Sequence, residues 1–281
     1  MNLNKHVYLA VSLLVLGTFS DSHAASSIKF ADELAQRGQF QAASIEYQRA
    51  LVDQADLTNS TAMEIAEKAL QALWLSRDFK ASSELADFYA RKHGHRQDMA
   101  CISNYYAGLS FYGMRAYPRS SSELAKSLQT CPEPYLSRSQ YWTGLAALRM
   151  IDFDQARNSF EVISASSPIR GQSQKALKSV LTAEMMPRKS SKRAGFLNAV
   201  LPGSGYAYAG YPQTGVASFL TTGLFTWGTV AAVQKGETAL AILLGSLNVA
   251  WYFGGVQGAA NAAQRTNDSR LNAVIKPLEI N

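Results

Sequence analysis

The sequence is poor in the residues that build metal centres and disulfide frameworks. Its 281 residues include two Cys and four His, too few for a four-cysteine zinc site or for a small domain held by several disulfides. Eight Pro and 19 Gly also exclude collagen-like and low-complexity chains. With 47% hydrophobic and 17% charged residues, the chain can fold around one large core or two smaller ones.

Short catalytic motifs are missing as well. The sequence has no G-x-S-x-G nucleophile elbow, no H-E-x-x-H helix and no G-x-x-x-x-G-K-[ST] phosphate loop. His93 and His95 could contact a metal ion, but no third ligand is in view, and a polar loop is the plainer interpretation. We therefore expect no enzyme activity, cofactor or metal, while a hydrolase site on the repeats described below remains an alternative.

Positive charge is concentrated in the last third of the chain. Residues 25–186 carry 18 Lys+Arg and 17 Asp+Glu, whereas residues 187–281 carry 8 against 3. Nearly all of the net charge of +6 therefore lies beside the most apolar stretches. This pattern favours a membrane surface over nucleic acid as the partner.

The N-terminus has the pattern of a secretory signal. Lys5 is followed by an apolar run from Val7 to Gly17 and by the small-residue pattern ending at Ala24. The apolar run is short for a membrane span, which needs about 20 residues. We predict a signal peptide over residues 1–24, with an uncleaved anchor as the alternative. Either segment would direct export to the cell envelope.

Aromatic residues recur through the middle of the chain at a nearly constant interval. Phe40, Phe79, Tyr117 and Phe153 are 39, 38 and 36 residues apart. Small, aromatic and proline residues recur around them at matching offsets, and the positions predicted to pack are Phe40, Ala43, Tyr47, Phe79, Gly108, Tyr117, Pro132, Gly144, Phe153, Ala156, Phe160 and Pro168. The second unit departs from the pattern, with Ser82 and Ala86 at the small and aromatic positions.

This pattern resembles the tetratricopeptide repeat, a helix-turn-helix unit of 34 residues. The resemblance implies an all-α solenoid of stacked helical hairpins over residues 25–186, because single hairpins cannot bury their apolar faces alone. We predict helices at residues 27–37, 39–52, 60–76, 79–92, 97–113, 117–129, 134–150, 153–164 and 171–183. A concave surface would bind a protein or peptide through exposed aromatic side chains of the first helices, namely Tyr105, Tyr106, Tyr141 and Trp142.

The two cysteines flank the third predicted hairpin. Cys101 lies near the start of its first helix and Cys131 lies just after its second. Because the helices of a hairpin are antiparallel, these two positions meet at its open end, and an oxidising compartment would maintain a disulfide. The alternative is a pair of buried free thiols.

Two long apolar runs follow, from Val216 to Val233 and from Ala239 to Ala259. Each is long enough to cross a bilayer as a helix, and the polar turn between them predicts a transmembrane or membrane-embedded helical hairpin. Gly254 and Gly258 form a G-x-x-x-G pair that could bring helices together, including those of a homo-oligomer. A chance occurrence of glycine is the alternative.

A glycine-rich motif precedes the hairpin, at Pro202, Gly203, Gly205, Tyr208, Gly210 and Gly215. Its P-G-x-G-x-x-Y-x-G spacing resembles the two-helix membrane modules of the TM2-like kind, over about residues 194–263. The resemblance implies a membrane module at residues 194–264, followed by a polar tail at 265–281. The motif departs from the better-known pattern at Gly205 and Ala207.

The segment 187–193 carries four cations, Arg188, Lys189, Lys192 and Arg193. They could bind anionic lipid headgroups or belong to a solvated hinge. With a signal peptide, this basic segment would lie outside the cytoplasm, contrary to the positive-inside tendency. The hairpin then has either a marginal orientation or incomplete insertion.

These features together predict a scaffold anchored in the inner membrane, with its repeats in the periplasm and a protein or peptide as its partner. The alternative is an oligomerising or lipid-perturbing membrane module with a regulatory repeat cap.

Overall fold

A computed structural model of the chain describes residues 27–53 and 59–279. The predicted signal segment 1–24 lies outside the described residues. The chain divides into two compact units, Met1–Val180 and Leu181–Asn281, so the boundary lies inside the last helix predicted for the repeats. The described residues form α-helices and one short 3₁₀ helix and contain no β-strand, which confirms the all-α class.

The first unit is built of helices joined by short turns. They are α1 (27–36), α2 (Phe40–Asp53), α3 (Asn59–Leu75), α4 (Phe79–His93), α5 (Gln97–Gly113), α6 (Tyr117–Thr130), α7 (Tyr135–Met150), α8 (Phe153–Glu161) and α9 (Arg170–Glu184), whose residues from Leu181 onward belong to the second unit. Neighbouring helices from α2 to α8 pack on one another, and α5 also contacts α3 and α7. The predicted helices are all present, and the largest difference is at α8, which ends three residues earlier than predicted.

One turn geometry recurs before each of the four repeat aromatics. The residue two positions before the aromatic has a left-handed backbone, at Gly38 (φ 73°), Arg77 (φ 63°), Arg115 (φ 61°) and Ile151 (φ 68°). Its N–H donates to the carbonyl three residues earlier, and the next N–H donates to the carbonyl five residues before it. These bonds close the preceding helix in the manner of a Schellman motif. The four positions inferred from aromatic spacing therefore share the same backbone turn.

The residue three positions after each aromatic is buried, at Ala43, Ser82, Ala156 and Ser120. Small residues on one helix meet large ones on the next: a Cβ on Gly108 would lie 2.6 Å from Leu124 Cγ, and a Cβ on Gly144 would lie 2.7 Å from Phe160 Cζ. Both glycines thus permit close helix approach. Ser120 Oγ donates to the Gly108 carbonyl at 2.8 Å across the same contact.

The second unit contains α10 (Ser191–Val200), α11 (Ser204–Ala209), α12 (Pro212–Gln234), α13 (Thr238–Ile275) and the 3₁₀ helix Lys276–Leu278. The helices α12 and α13 form the predicted hairpin. Two differences from the sequence prediction concern its flanks. The basic segment 187–193 already contains the first turn of α10, and most of the predicted polar tail continues α13 as helix.

Candidate functional site

The aromatic side chains predicted to bind a partner are buried. Tyr105, Tyr106, Tyr141 and Trp142 are between 1% and 5% exposed, so the expectation that they are surface anchors is wrong. They form ring contacts within the first unit, including Tyr105 with Tyr106 at 5.2 Å and Tyr141 with Phe160 at 5.3 Å. The reason is that α5 and α7 are packed by neighbours on several sides. Burial raises the pKa of Tyr105 and of Tyr141 to about 12.

A groove lies instead where α2 and α4 end and α3 and α5 begin. Its volume is about 740 Å³, and its lining includes Leu51, Val52, Ala66, Leu85 and Phe88. Val52 is 83% exposed and Phe88 is 45% exposed. Large apolar side chains on the surface beside a concavity are typical of binding sites for protein segments. We call this cavity the α2–α5 groove.

The described lining of the α2–α5 groove carries basic and imidazole groups and no carboxylate. These groups are Lys92, His93, His95 and Arg96. Arg96 pairs with Asp98 at 2.6 Å, and this guanidinium lowers the pKa of the Asp98 carboxyl. Burial, followed by the neighbouring charges of Lys92 and Arg96, lowers the pKa of His93 and so disfavours its charged form. The groove therefore favours a ligand with apolar and acidic groups.

Cys101 and Cys131 lie at disulfide distance, with Cα atoms 4.9 Å apart. Cys101 is in the first turns of α5, and Cys131 immediately follows α6. Gln97 at the start of α5 also donates to the Thr130 carbonyl at 3.1 Å. The antiparallel hairpin therefore brings the two thiols together at its open end, as the sequence predicted. Within the described residues, no cluster of three or more metal-ligating side chains is present.

The second unit turns its apolar side chains outward. The helices α12 and α13 are long and apolar enough to cross a membrane, and only 17% and 6% of their most apolar windows are buried. Examples are Leu224 at 63%, Trp227 at 70%, Ile242 at 65% and Phe253 at 67% exposed. A core helix of a soluble domain would bury such residues. The pattern favours contact with lipid hydrocarbon.

The glycine-rich motif forms the close contacts that fold the second unit. Gly203 has φ 88°, and a Cβ there would also overlap the backbone of Gly215. Its N–H donates at 2.8 Å to Oδ1 of Asn198, which is 1% exposed. Gly205 is in contact with α10 and α13, where a Cβ would lie 2.9 Å from the Cβ of Ala259. These glycines therefore serve packing, which fits the absence of phosphate-binding side chains from the motif.

The remaining motif residues close the turn into α12. Pro202 begins the turn between α10 and α11, and Gly210 ends α11 with φ 99°. Tyr208 accepts a hydrogen bond from the Ser190 N–H through its hydroxyl at 3.1 Å. This bond attaches the start of α10 to the end of α11.

The G-x-x-x-G pair divides between two environments. A Cβ on Gly258 would overlap the Tyr206 side chain, whereas a Cβ on Gly254 would meet nothing within 4 Å. Gly258 therefore packs within the unit. Gly254 lines an open apolar cavity of about 560 Å³ between α12 and α13.

The basic segment is held against the C-terminal part of α13. The backbone N–H and carbonyl of Lys189 bond to the side-chain amide of Asn267, each at 2.8 Å. Arg270 donates to the Pro187 carbonyl at 2.9 Å, and the Lys189 ammonium lies 4.9 Å from the Tyr208 ring centroid. Arg188, Lys192 and Arg193 are exposed. The segment is thus an ordered cationic surface.

Sequence reasoning missed the hydrogen bonds of Asn198, Asn267 and Tyr252. Those of Asn267 and Tyr252 join α13 to α10 and its preceding segment, and that of Asn198 joins α10 to the glycine-rich turn. Tyr252 donates from its hydroxyl to the Ala199 carbonyl. The available signal was the presence of a single asparagine, Asn198, inside an otherwise apolar stretch, since a buried amide needs partners.

No family model matches the chain, and no curated protein or solved structure matches it. The functional argument therefore depends on the geometry of the two units.

Proposed function

We propose that this protein is a membrane-anchored scaffold of the cell envelope. The second unit inserts α12 and α13 into the inner membrane, and the first unit is a tetratricopeptide-like solenoid in the periplasm that binds a protein or peptide. The supporting observation is the contrast between the units: large apolar side chains are buried in the first and exposed along two long helices in the second.

Anchoring is tested by extraction of cell membranes with alkaline carbonate. A hairpin that buries two apolar helices in hydrocarbon should keep the full-length chain in the pellet. Recovery in the supernatant as a detergent-independent monomer would contradict the anchor. Protease added to the outer side of the inner membrane should then degrade the first unit if it is periplasmic. Protection from the protease would place the first unit on the opposite face.

We assign partner binding to the α2–α5 groove rather than to the buried tyrosines. The partner is a peptide segment with an apolar anchor and nearby carboxylates, because the groove combines exposed apolar side chains with the Lys92 ammonium. The Lys92 ammonium lies 5.5 Å from the centroid of the Phe88 ring. A partner at this point of the groove can therefore make an apolar and a cationic contact side by side.

A photo-reactive amino acid in place of Val52 tests this assignment in full-length protein in cells. We expect a discrete cross-linked product. This product should disappear when Phe88→Asp is added, because the substitution removes an apolar side chain from the groove and its carboxylate repels an acidic ligand. The matched control places the same photo-reactive residue at Lys80, whose side chain is 81% exposed and which lies in α4, the helix of Phe88, outside the groove. Equal products from both positions, or a product that Phe88→Asp does not change, would contradict the groove.

One observation favours a second function, in which the hairpin oligomerises or perturbs lipid and the repeats regulate it. Gly254 opens onto the apolar cavity between α12 and α13, where a helix from another copy could approach closely. Full-length protein with Gly254→Leu separates the two functions. If this variant loses oligomers and activity while cross-linking from Val52 is unchanged, the second function gains support.

A further inference from the structure

Besides α12, the helix α10 also packs alongside α13, but it extends along only a part of the apolar length of α13. The helix α10 is antiparallel to α13: Lys189 bonds to Asn267, Gly195 lies beside Val256 and Ala260, and Ala199 bonds to Tyr252. The chain then returns along α13 through α11. Gly205 lies beside Ala259, and the Thr266 hydroxyl donates to the Ala209 carbonyl at 2.7 Å.

We propose that α10 and α11 form an interfacial hairpin whose tip is immersed in the hydrocarbon of one leaflet, beside the two spanning helices. This inference rests on the proposed membrane anchoring and adds a third lipid-contacting element to it. Its ligand is the acyl-chain region of the bilayer, and the tip consists of Val200 and Leu201.

The depth of the tip in the bilayer can be estimated from the α13 residues that lie beside it. Twenty residues from Thr238 rise about 30 Å and end at Gln257, which sets one edge of the hydrocarbon. Tyr252 lies five residues before Gln257, so the α10 residues beside it are about 8 Å inside that edge. Lys192 and Arg193 lie between the levels of Asn267 and Gly195 and thus reach the headgroup layer. This depth is typical of interfacial helices.

The exposed side chains of α10 and of the residue after it are apolar at the depths where hydrocarbon is expected. Phe196 and Val200 of α10 are 69% and 68% exposed, and Leu201, the residue after α10, is 52% exposed. Val200 and Leu201 follow Ala199, which contacts Tyr252, next to the exposed Phe253, whereas Phe196 follows Gly195 near the Gln257 edge. The opposite side of α10 is buried through Ala194, Gly195 and Asn198. The helix therefore has one packed face and one apolar face with no protein cover within the unit.

Several backbone polar groups at the tip have hydrogen-bond partners, which favours immersion in hydrocarbon. The Ser204 hydroxyl donates to the carbonyls of Leu197 at 2.6 Å and Leu201 at 2.7 Å. The Tyr252 hydroxyl donates to the Ala199 carbonyl, and Asn198 accepts from the Gly203 N–H. Pro202 brings no N–H to the turn. The Leu197 and Leu201 carbonyls also accept from the backbone N–H groups of Leu201 and Ser204, at 2.9 and 3.1 Å.

Thiol accessibility in proteoliposomes tests the hairpin. Single variants Val200→Cys, Lys192→Cys and Leu224→Cys are placed in full-length protein, where Cys101 and Cys131 are paired. All three positions are exposed, so the substitutions disturb little packing. The probe is a charged maleimide, introduced on both sides of vesicles of phosphatidylethanolamine and phosphatidylglycerol by freeze–thaw. Reaction after unfolding in sodium dodecyl sulfate gives the full signal for each variant.

We expect Val200→Cys to react at least about tenfold more slowly than Lys192→Cys, because a thiol in hydrocarbon is neither ionised nor accessible to the probe. The spanning position Leu224→Cys should be equally slow. If Val200→Cys reacts as fast as Lys192→Cys while Leu224→Cys stays protected, the interfacial hairpin is wrong and the anchor stands. If all three react at the same rate, the membrane anchor itself fails.

Discussion

The contact between Gly144 and Phe160 gives the sharpest test of how the first unit is held together. Phe160 is fully buried, and its ring also packs on Tyr141 at 5.3 Å. In the variant Gly144→Ala, the new Cβ would lie 2.7 Å from two ring carbons and 3.0 Å from a third. Carbon atoms in ordinary contact are about 3.5–4.0 Å apart. The ring or the helix must therefore move by nearly 1 Å.

The free energy of unfolding should fall by about 1–2 kcal/mol. Overpacking of a filled core costs about 1–3 kcal/mol, and the better helix propensity of alanine returns up to about 1 kcal/mol. The melting temperature should fall by about 2–4 °C per kcal/mol for a unit of this size. The matched control is Gly171→Ala in α9, where a Cβ meets nothing within 4 Å. This control should leave stability unchanged or raise it slightly.

The assay is urea unfolding of the full-length protein in detergent, followed by tryptophan fluorescence. A background of Trp227→Phe and Trp251→Phe removes the exposed tryptophans of the second unit. Trp74 and Trp142 remain as reporters of the first unit, where their rings lie 6.1 Å apart. If Gly144→Ala is as stable as Gly171→Ala, the small-to-large packing inferred for the repeats is refuted.

Two further predictions concern the disulfide and the basic segment. Replacing Cys101 and Cys131 by serine should lower stability by about 3–4 kcal/mol, from the loss of a cross-link with a sequence separation of 30. Mass spectrometry after alkylation without reductant should find no free thiol in material from the envelope, and a labelled pair would contradict the bond. Replacing all four cations of residues 187–193 by glutamine should weaken the binding of phosphatidylglycerol to the full-length protein in detergent. The expected loss is up to about 1 kcal/mol per cation and smaller at high salt. Unchanged binding would favour a solvated hinge, and retention in the carbonate pellet should not change.

The helices of the first unit could be predicted because their ends carry local signals. The turn before Phe153 combines a left-handed residue with Asp152, whose side chain accepts from the Gln155 N–H at 3.0 Å. Such signals lie within a few residues of the helix end. Aromatic spacing then identified equivalent turns, although the middle of the second repeat has Ala86 where the other repeats have a large side chain.

The exposure of the tyrosines could not be predicted in the same way. Tyr105 and Tyr141 are amphipathic, and each helix alone offers no measure of how many neighbours surround it. Long-range packing decides the outcome, and α5 contacts helices on both sides of its own hairpin. The α2–α5 groove was missed for the same reason, since its lining comes from the ends of four helices.

The flanks of the apolar hairpin were harder to predict, because their local signals conflict. The glycine-rich motif does not predict a helix, yet Gly203 and Gly210 cap a short helix through left-handed conformations. Residues 265–275 are polar and predict a tail. They are helical, and their Asn267 and Arg270 bond to Lys189 and Pro187 in the segment before α10. These partners are 78 and 83 positions apart, so the contacts leave no pattern within a short stretch of sequence.

Three of the four recurrent turns hold the left-handed backbone with residues that have a Cβ, including the β-branched Ile151. Such residues disfavour this conformation by about 1–2 kcal/mol. The same geometry is nevertheless kept before every repeat aromatic, so the surrounding helices must offset the penalty at each one. Glycine in place of Arg77, Arg115 or Ile151 would remove this conformational penalty, so these surface turns are the places where the first unit can be stabilised without any change to its core.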